Sequence, residues 1–313
     1  MGASTLMSVA MKGMAASYAN MQTTGHNITN ASVEGYSRQR VQLATSQGQF
    51  TGAGFFGKGV DVVTVTRDFN AFLAKEAAGT KSLASYDKAR SEQLDSLQNV
   101  FLGGEDGLGA QLGSFLNSFV DVASRPQDLA ARQVVLAQAQ ALASRFASAV
   151  DQIDSVQQGV EQGLANAVTQ VNELTTQLAA VNDRIAKLKG SDHSPNDLLD
   201  QRQRLVNELS GYLPITTLEN TNDNTVSVFV AGGQRLVLGS IAQKLTLGVD
   251  DYDSSRNRIE IVESDGPHAV ESDALNAGII GGLLRFQNDD LVRARSLVGQ
   301  LAYSLASAVN AQQ

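Results

Sequence analysis

The most suggestive short motif in the sequence is GAGFFG at residues 52–57, which matches the G-x-G-x-x-G pattern of dinucleotide-binding loops. In such a site the glycine loop opens a helix, so that the N-terminal amides of the helix can bind the pyrophosphate. Here the loop is followed by VDVVTV, whose alternation predicts a strand. The glycines therefore fit a hairpin loop, and we assign no cofactor and no cofactor-binding residue.

The three histidines do not indicate a catalytic or metal site, because His26, His193 and His268 share no motif. Near His193 the sequence places Asp192, Asp197 and Asp200, residue types that bind metal ions. Pro195 interrupts this group, and aspartates at a helix N-terminus are stabilising without any ion. We therefore interpret them as helix-capping residues. No catalytic constellation is present in the sequence, so we predict neither a metal site nor an enzyme.

Composition excludes several classes of protein. The 313 residues carry a net charge of −8 with no basic cluster, which argues against a nucleic-acid partner. The absence of cysteine excludes disulfides and thiolate metal sites. No run reaches the roughly 18 apolar residues of a membrane span, and the N-terminus does not resemble a cleaved secretory signal. If the protein leaves the cell, we expect a route that needs no such signal.

Residues 4–21 predict an amphipathic helix with a narrow apolar stripe. Its members recur at spacings of four, three, four and three, as in a coiled-coil seam: Met7, Met11, Met14, Tyr18 and Met21. A lone helix of this length is marginal in water. We therefore expect its partner to lie outside this chain, and the first ~35 residues to be poorly ordered in isolation. The alternative is an ordinary helix facing the core of this chain.

The remaining pattern predicts a mainly α fold with a smaller β part. In residues 39–66 apolar and polar residues alternate, which predicts a β-hairpin with a long loop. A helix is predicted to follow, with Asp68 as its N-cap. Residues 128–189 predict a single helix of roughly 90 Å at about 1.5 Å per residue. Short β-rich segments follow Leu213, and Gly281-Gly282 leads into a last helix. We expect an elongated long-helix bundle, a β-hairpin and a small antiparallel β domain.

This pattern suggests four regions. Residues 1–36 are an N-terminal amphipathic helix and turn, and residues 37–212 an elongated helical domain that contains the hairpin. Residues 213–275 are a small antiparallel β domain. Residues 276–313 are a helix returning to the bundle, where the chain stops in mid-helix by its pattern.

The segment NITNASVEGYSRQ, residues 27–39, resembles the signature of rod, hook and hook-associated proteins of bacterial flagella. The matching positions are Asn27, Ile28, Asn30, Ala31, Gly35 and Tyr36. The departures are His26, Thr29, Val33 and Glu34, where Asn, Ala, Thr and Pro are commoner. The continuation Ser37-Arg38-Gln39 is similar to the hook-associated protein 1 family. Later segments such as GKGVDVVTVTRDFNAFL and GGLLRFQNDDL extend the resemblance over essentially the whole chain.

The resemblance implies a structural subunit at the junction between hook and filament, extracellular and exported by the flagellar type III apparatus. It implies self-association into a ring, and the hook protein and the next hook-associated protein as neighbours. An export chaperone is also implied, with its site near the C-terminus of the full-length family. Family members continue beyond this sequence with a C-terminal helix that pairs with the N-terminal one. We therefore expect this chain to be an N-terminal portion, with no nucleic-acid partner and no membrane insertion.

On this basis the candidate site is an assembly interface, formed by Met7, Met11, Met14, Tyr18, Met21, Asn27, Asn30, Gly35 and Tyr36. The turn residues are included because they have no obvious match in the remaining chain. The alternatives are another flagellar axial protein (hook-associated protein 3 or hook protein), a non-flagellar coiled-coil scaffold, or an enzyme using GAGFFG. The GYSRQ segment and the hairpin argue against the scaffold, and nucleotide titration tests the enzyme.

Overall fold

A computed structural model describes residues 2–52, 54–101, 107–189 and 194–311. Helices dominate the described residues, as the sequence predicts. They are α1 (Gly2–Thr29), α2 (Ala71–Val100), α3 (Leu108–Ser124), α4 (Leu129–Lys187), α5 (Asn196–Tyr212), α6 (Gly278–Arg285) and α7 (Leu291–Asn310). A π-helical turn, Phe286–Asp290, joins the last two. Asp192 and His193 lie outside the described residues.

The strands form small antiparallel sheets. Strands β1 (Gln39–Thr45) and β4 (Val60–Arg67) pair, with β2 (Gln49–Thr51) and β3 (Gly54–Phe56) forming a second hairpin in the loop between them. A sheet of four strands contains β5 (Ile215–Glu219), β6 (Val226–Val230), β7 (Gln234–Leu238) and β8 (Ile241–Ala242). A sheet of three contains β9 (Lys244–Val249), β10 (Asn257–Glu263) and β11 (Gly266–Ala269). The expected fold class, mainly α with small antiparallel sheets, is confirmed.

Contacts divide the chain into two compact units. Unit one contains residues 1–80, 172–210 and 215–243, and unit two contains residues 81–171, 211–214 and 244–313. The strands expected to form one β domain at 213–275 thus form two sheets, one in each unit. The domain boundaries given above remain a prediction.

The core of unit one lies between the last part of α4, α5 and the four-stranded sheet. Fully buried apolar side chains come from all three: Leu178, Leu209, Val228, Leu236 and Val237. Asn182 lies among them and is also fully buried. Its amide donates to the carbonyls of Val226 and Gly239, both at 2.7 Å, and accepts the Val226 N–H at 3.1 Å. One buried amide therefore fixes α4 against the sheet, with every polar group satisfied.

The core of unit two gathers α2, the middle of α4, the three-stranded sheet and α6. Fully buried members are Ile153, Val160, Leu164, Ile259, Ile280 and Phe286. Helix α6 packs closely on α2, because a Cβ at Gly282 would lie 2.4 Å from the carbonyl oxygen of Tyr86. The π-helical turn carries Gln287, which donates to the Asn257 carbonyl at 2.9 Å and accepts the Asn257 N–H at 3.1 Å.

Two helix boundaries differ from the sequence prediction. Helix α1 extends to Thr29, eight residues beyond its predicted end. Helix α2 begins at Ala71 and not after Asp68, because Asn70 accepts the N–H groups of Phe72 and Leu73. Asp68 instead extends the hairpin ladder through its N–H and pairs with Arg40 at 2.8 Å. The long helix was predicted at 128–189 and is confirmed at Leu129–Lys187.

Candidate assembly interface

Helix α1 carries its apolar residues on the face that points away from the rest of unit one. Every side chain of the predicted stripe is between 61 % and 69 % exposed: Met7, Met11, Met14, Tyr18 and Met21. We call this surface the methionine face. Leu6 and Ile28 of the same helix are similarly exposed. Within the described chain, the alternative of an ordinary core-facing stripe is therefore wrong.

The opposite face of α1 packs on the β1–β4 hairpin through small and polar residues. Ala16 is only 4 % exposed. A Cβ at Gly59 of the hairpin would lie 3.4 Å from the side chain of Val9. Lys12 pairs with Asp61 at 2.8 Å and donates to the hydroxyl of Ser46. Hydrogen bonds from Lys12 and Ser46 lower the pKa of Asp61, in spite of its exposure. Helix α1 is thus the reverse of a usual surface helix, because its apolar stripe faces solvent and its small and polar residues face the protein.

The turn after α1 is closed by Asn27. Its side-chain oxygen accepts the Tyr36 hydroxyl at 2.7 Å and the Gln39 N–H at 2.8 Å, and its amide donates to the Gln39 carbonyl at 2.9 Å. The ring of Tyr36 stacks on His26 with centroids 5.6 Å apart. Asn30 completes the helix end by donating to the His26 carbonyl at 2.9 Å. The signature residues therefore bind one another.

Helix α5 holds the same turn from outside. The Ser37 N–H donates to Asp200 Oδ2 at 3.0 Å, and the Gln39 side chain donates to Asp197 at 3.3 Å. Gly35 adopts a φ of +78°, and a Cβ there would lie 3.1 Å from the Cβ of Arg204. We call this set the N-terminal clasp: Asn27, Gly35, Tyr36, Ser37 and Gln39 with Asp197, Asp200 and Arg204.

Asp200 is the central residue of the clasp. Its other oxygen, Oδ1, accepts a hydrogen bond from Arg67 at 3.0 Å, and the two side chains are only 9 % and 10 % exposed. Burial, together with the carboxylates of Asp200 and Asp197, raises the pKa of Tyr36. The interpretation of Asp200 as a helix-capping residue is therefore wrong, because its charge neutralises Arg67 and orders the chain at Ser37.

The structure thus separates the nine predicted interface residues into two groups. The five methionine-face residues are exposed, whereas the four turn residues, Asn27, Asn30, Gly35 and Tyr36, have partners within this chain. The expectation that the turn lacks a match in the chain is wrong, since its partners on α5 are 163 residues away in sequence at Ser37–Asp200. Sequence reasoning missed Arg67 and the role of Asp200, because no local periodicity links such distant residues. The solution order of the first ~35 residues and the interface as a whole remain predictions.

A second exposed apolar feature is the tip of the hairpin. Phe50, Phe55 and Phe56 are 65 %, 79 % and 56 % exposed, and the rings of Phe50 and Phe55 lie 5.2 Å apart. The GAGFFG glycines therefore lie in a hairpin, as predicted. Strand β3 lies inside the motif, and the described residues after the motif form β4 and not a helix, so the geometry of a dinucleotide loop is absent there.

Of the described histidines, His26 stacks on Tyr36, and His268 of β11 bonds at 2.9 Å to Asp265 in the turn before that strand. Glu263, Asp265 and His268 place ligand-type atoms within 4.8 Å of one another, but mostly on exposed side chains. The Asp265 carboxylate raises the pKa of His268, and His268 lowers the pKa of Asp265. Among the described helices, none has both the length and the apolar character needed to cross a membrane.

Sequence comparison matches residues 94–313 to the family described as flagellar hook-associated protein FlgK helical domain. The flagellar hook-associated protein 1 of Salmonella typhimurium strain LT2 is 33 % identical over 312 residues, which cover 99 % of this chain and 56 % of the relative. The protein of the same name in Escherichia coli K12 is 31 % identical over 99 % of this chain and 57 % of its own length. The chain therefore spans a little over half the length of these relatives.

Structural comparison agrees with the sequence comparison. The fold is similar to the solved structure of the flagellar hook junction protein FlgK from Burkholderia pseudomallei, with a TM-score of 0.70 and 30 % sequence identity. The similarity covers 76 % of this chain and 43 % of that chain.

Proposed function

Because the chain belongs to the family of the flagellar hook-associated protein FlgK, we propose that it is the N-terminal portion of a structural subunit that joins the hook to the filament of a bacterial flagellum. The family is structural, and the flagellum is an extracellular assembly. The finer statements that follow concern neighbours, export and interface residues.

The observation that carries the proposal is the methionine face. Four thioethers and a tyrosine at coiled-coil spacing are exposed on a helix whose other side is already packed. Exposed apolar surface of this kind marks an interaction site, and methionine side chains repack readily against different neighbours. We assign this face to an amphipathic helix of the flagellar axial assembly, which a seam spaced by three and four residues accepts.

The N-terminal clasp has a supporting role in this proposal. Asn27 closes the turn after α1, and Gly35 and Ser37 hold that turn against α5, so the methionine face is presented in a defined direction within unit one. The signature residues Asn27, Asn30, Gly35 and Tyr36 then contribute to assembly by positioning α1. We propose self-association into a ring, with the hook protein and the next hook-associated protein as neighbours.

The same proposal makes the protein a non-enzyme that is exported without a cleaved signal and served by a chaperone. The chaperone site is assigned to the part of the full-length family beyond this chain. Another axial protein, such as the hook protein or hook-associated protein 3, is less well supported, because the compared relatives carry the name of hook-associated protein 1.

The test adds purified full-length protein to hooks isolated from cells that lack it, which bypasses export. The variant Met11→Gln/Met14→Gln keeps side-chain length and helix propensity while making the methionine face polar. We expect it to stay folded by circular dichroism and to lose binding to the hook tips in pelleting and electron microscopy. Leu218→Thr, at a residue 63 % exposed on the edge strand β5, is the matched control and should bind normally. Undiminished binding of the double variant would contradict the proposal.

A further inference from the structure

Unit one contains a cavity that the assembly proposal does not use. Its volume is about 430 Å³, and it is bounded by the end of β4, the last turn of α4, the start of α5 and the connection from β5 to β6. One part of its wall is apolar, with Ile185, Leu188 and Leu199. The other part is basic, with Arg67, Lys189 and Arg202.

The two arginines are unusually well buried. Their side chains are 10 % and 7 % exposed for Arg67 and Arg202. Arg67 bonds to Asp200 and lies 4.1 Å from the ring centroid of Phe69, which also lines the cavity. Arg202 donates to the Asn224 carbonyl at 2.6 Å and to Glu219 at 3.1 Å. A buried guanidinium that lacks full compensation is costly, so each remaining donor favours an anionic partner.

The donors exceed the acceptors in the part of the chain that the structure describes. A guanidinium has five N–H groups, and the described contacts use one from Arg67 and two from Arg202. The described contacts therefore leave further N–H groups on both guanidiniums. The fork of a guanidinium matches a planar carboxylate, which can accept two parallel N–H bonds.

The charge of the wall points the same way. Arg67, Lys189 and Arg202 face one lining carboxylate, Glu219, on a chain whose net charge is −8. Asp200 and Asp223, which do not line the cavity, offset the two remaining positive charges through Arg67 and Lys189. Burial lowers the pKa of Arg202, and the nearby Arg67 also lowers it, against the opposite effect of Glu219.

We propose that this cavity binds a carboxylate on a short aliphatic stem, with the carboxylate on Arg67 and Arg202 and the stem against Ile185, Leu188 and Leu199. A free organic acid and a glutamate side chain of a second copy of this chain share this chemistry. Phosphate is a poorer fit, because Asp200 and Glu219 lie close to the same arginines and repel a dianion. The proposal is independent of the methionine face.

The test titrates the full chain with butyrate and follows the Ile185 methyl groups and the Ser37 amide by nuclear magnetic resonance. Ser37 serves as a reporter because its N–H donates to Asp200, the partner of Arg67. Butylammonium, with the same stem and the opposite charge, is the ligand control. We expect saturable shifts with butyrate and none with butylammonium.

Variants distinguish this site from general attraction of anions. Lys189→Gln changes an exposed residue of the cavity rim and should weaken butyrate binding about threefold, by removing one nearby charge. Lys187→Gln, two residues away, exposed and paired with Asp183, should leave binding unchanged. Arg202→Gln should weaken binding at least about tenfold, a loss of one charge-assisted hydrogen bond. Since Arg202 is buried, its variant is interpreted only if its circular dichroism is native.

A second experiment identifies the source of the carboxylate. It measures the self-association of the same variants by analytical sedimentation over a range of protein concentrations. Saturable butyrate binding without self-association identifies a free acid as ligand. Self-association that butyrate and Lys189→Gln both reduce, and that Lys187→Gln leaves intact, identifies a second copy. Either result supports the carboxylate site. The proposal is overturned if butyrate does not bind by about 20 mM, where even millimolar affinity saturates, or if Lys187→Gln and Lys189→Gln act equally.

Discussion

The methionine face lies within the first 39 residues, and the N-terminal clasp joins that same segment to helix α5. Together they invert the usual distribution of side chains. The face puts thioethers in solvent, whereas the clasp places Asp200 and its partner Arg67 at about a tenth exposed. One region has apolar groups without a described partner, and the other has polar groups with several. The contrast shows that hydrophobicity alone does not identify the core of this protein. We therefore expect the effect of a substitution on the free energy of unfolding to depend on which of the two regions contains the residue.

The largest expected difference in the free energy of unfolding is between removing a buried charge and removing an exposed one. Asp200→Ala removes the carboxylate of buried Arg67 and the acceptor of the Ser37 N–H. We expect a loss of about 3–5 kcal/mol in the free energy of unfolding, because a buried charge loses its partner. Urea denaturation followed by circular dichroism measures it. Asp183→Ala, which breaks the exposed pair with Lys187, should cost only about 0.5 kcal/mol. Similar losses in the two variants would remove the distinction between clasp and surface.

Glycine substitutions sharpen the comparison within the N-terminal segment. Gly35→Ala forces a left-handed φ on a residue with a Cβ and directs that Cβ at Arg204. We expect it to cost about 1–2 kcal/mol. Gly13 lies inside α1 with open space around a Cβ, so Gly13→Ala should stabilise by about 0.5–1 kcal/mol. Thermal unfolding of both variants should shift in opposite directions. A shift of the same sign would mean that the turn at residue 35 is not held as described.

On the methionine face we expect almost no effect on the isolated fold. Met11→Gln/Met14→Gln alters two residues that are 61 % and 67 % exposed. The free energy of unfolding of the monomer should change by no more than about 0.5 kcal/mol. The same urea titration used for Asp200→Ala gives the value. A loss of several kcal/mol would show that the face already packs within this chain.

The smallest expected effect belongs to an exposed pair, His268 with Asp265. Asp265 raises the pKa of His268 above its ordinary value of 6.5. The pair's contribution to stability is therefore fully present below about pH 6.5. It is lost as pH rises through the higher pKa of the folded state. Titration of the His268 ring by nuclear magnetic resonance should give a midpoint above that of Asp265→Asn. Equal midpoints would show that the pair is not formed in solution.

Local patterns in the sequence were sufficient for the helices and the exposed stripe. The three-four spacing from Met7 to Met21 defines one side of α1, and the long apolar register in residues 128–189 matches α4 within two residues at each end. These features depend on neighbours a few residues apart, which is why periodicity reveals them.

The clasp could not be predicted in the same way, since it joins residues from distant parts of the chain. Ser37 and Asp200, and Arg67 and Asp200, are separated by 163 and 133 positions. The start of α2 was missed for a related reason. Asp68 and Asn70 are both good N-caps, and the choice between them is decided by Arg40 on a neighbouring strand, which pairs with Asp68.

The composition of the methionine face makes this surface susceptible to oxidation. Of the five methionines in the sequence, all except Met1 belong to it, at 61 % to 69 % exposure. Oxidation to the sulfoxide turns a flexible apolar side chain into a polar one. Because these residues lie outside both cores, we expect an oxidised subunit to keep its fold and to lose the interface that we propose for this face. Damage of this kind is invisible to a folding measurement and is reversed by enzymatic reduction of the sulfoxide.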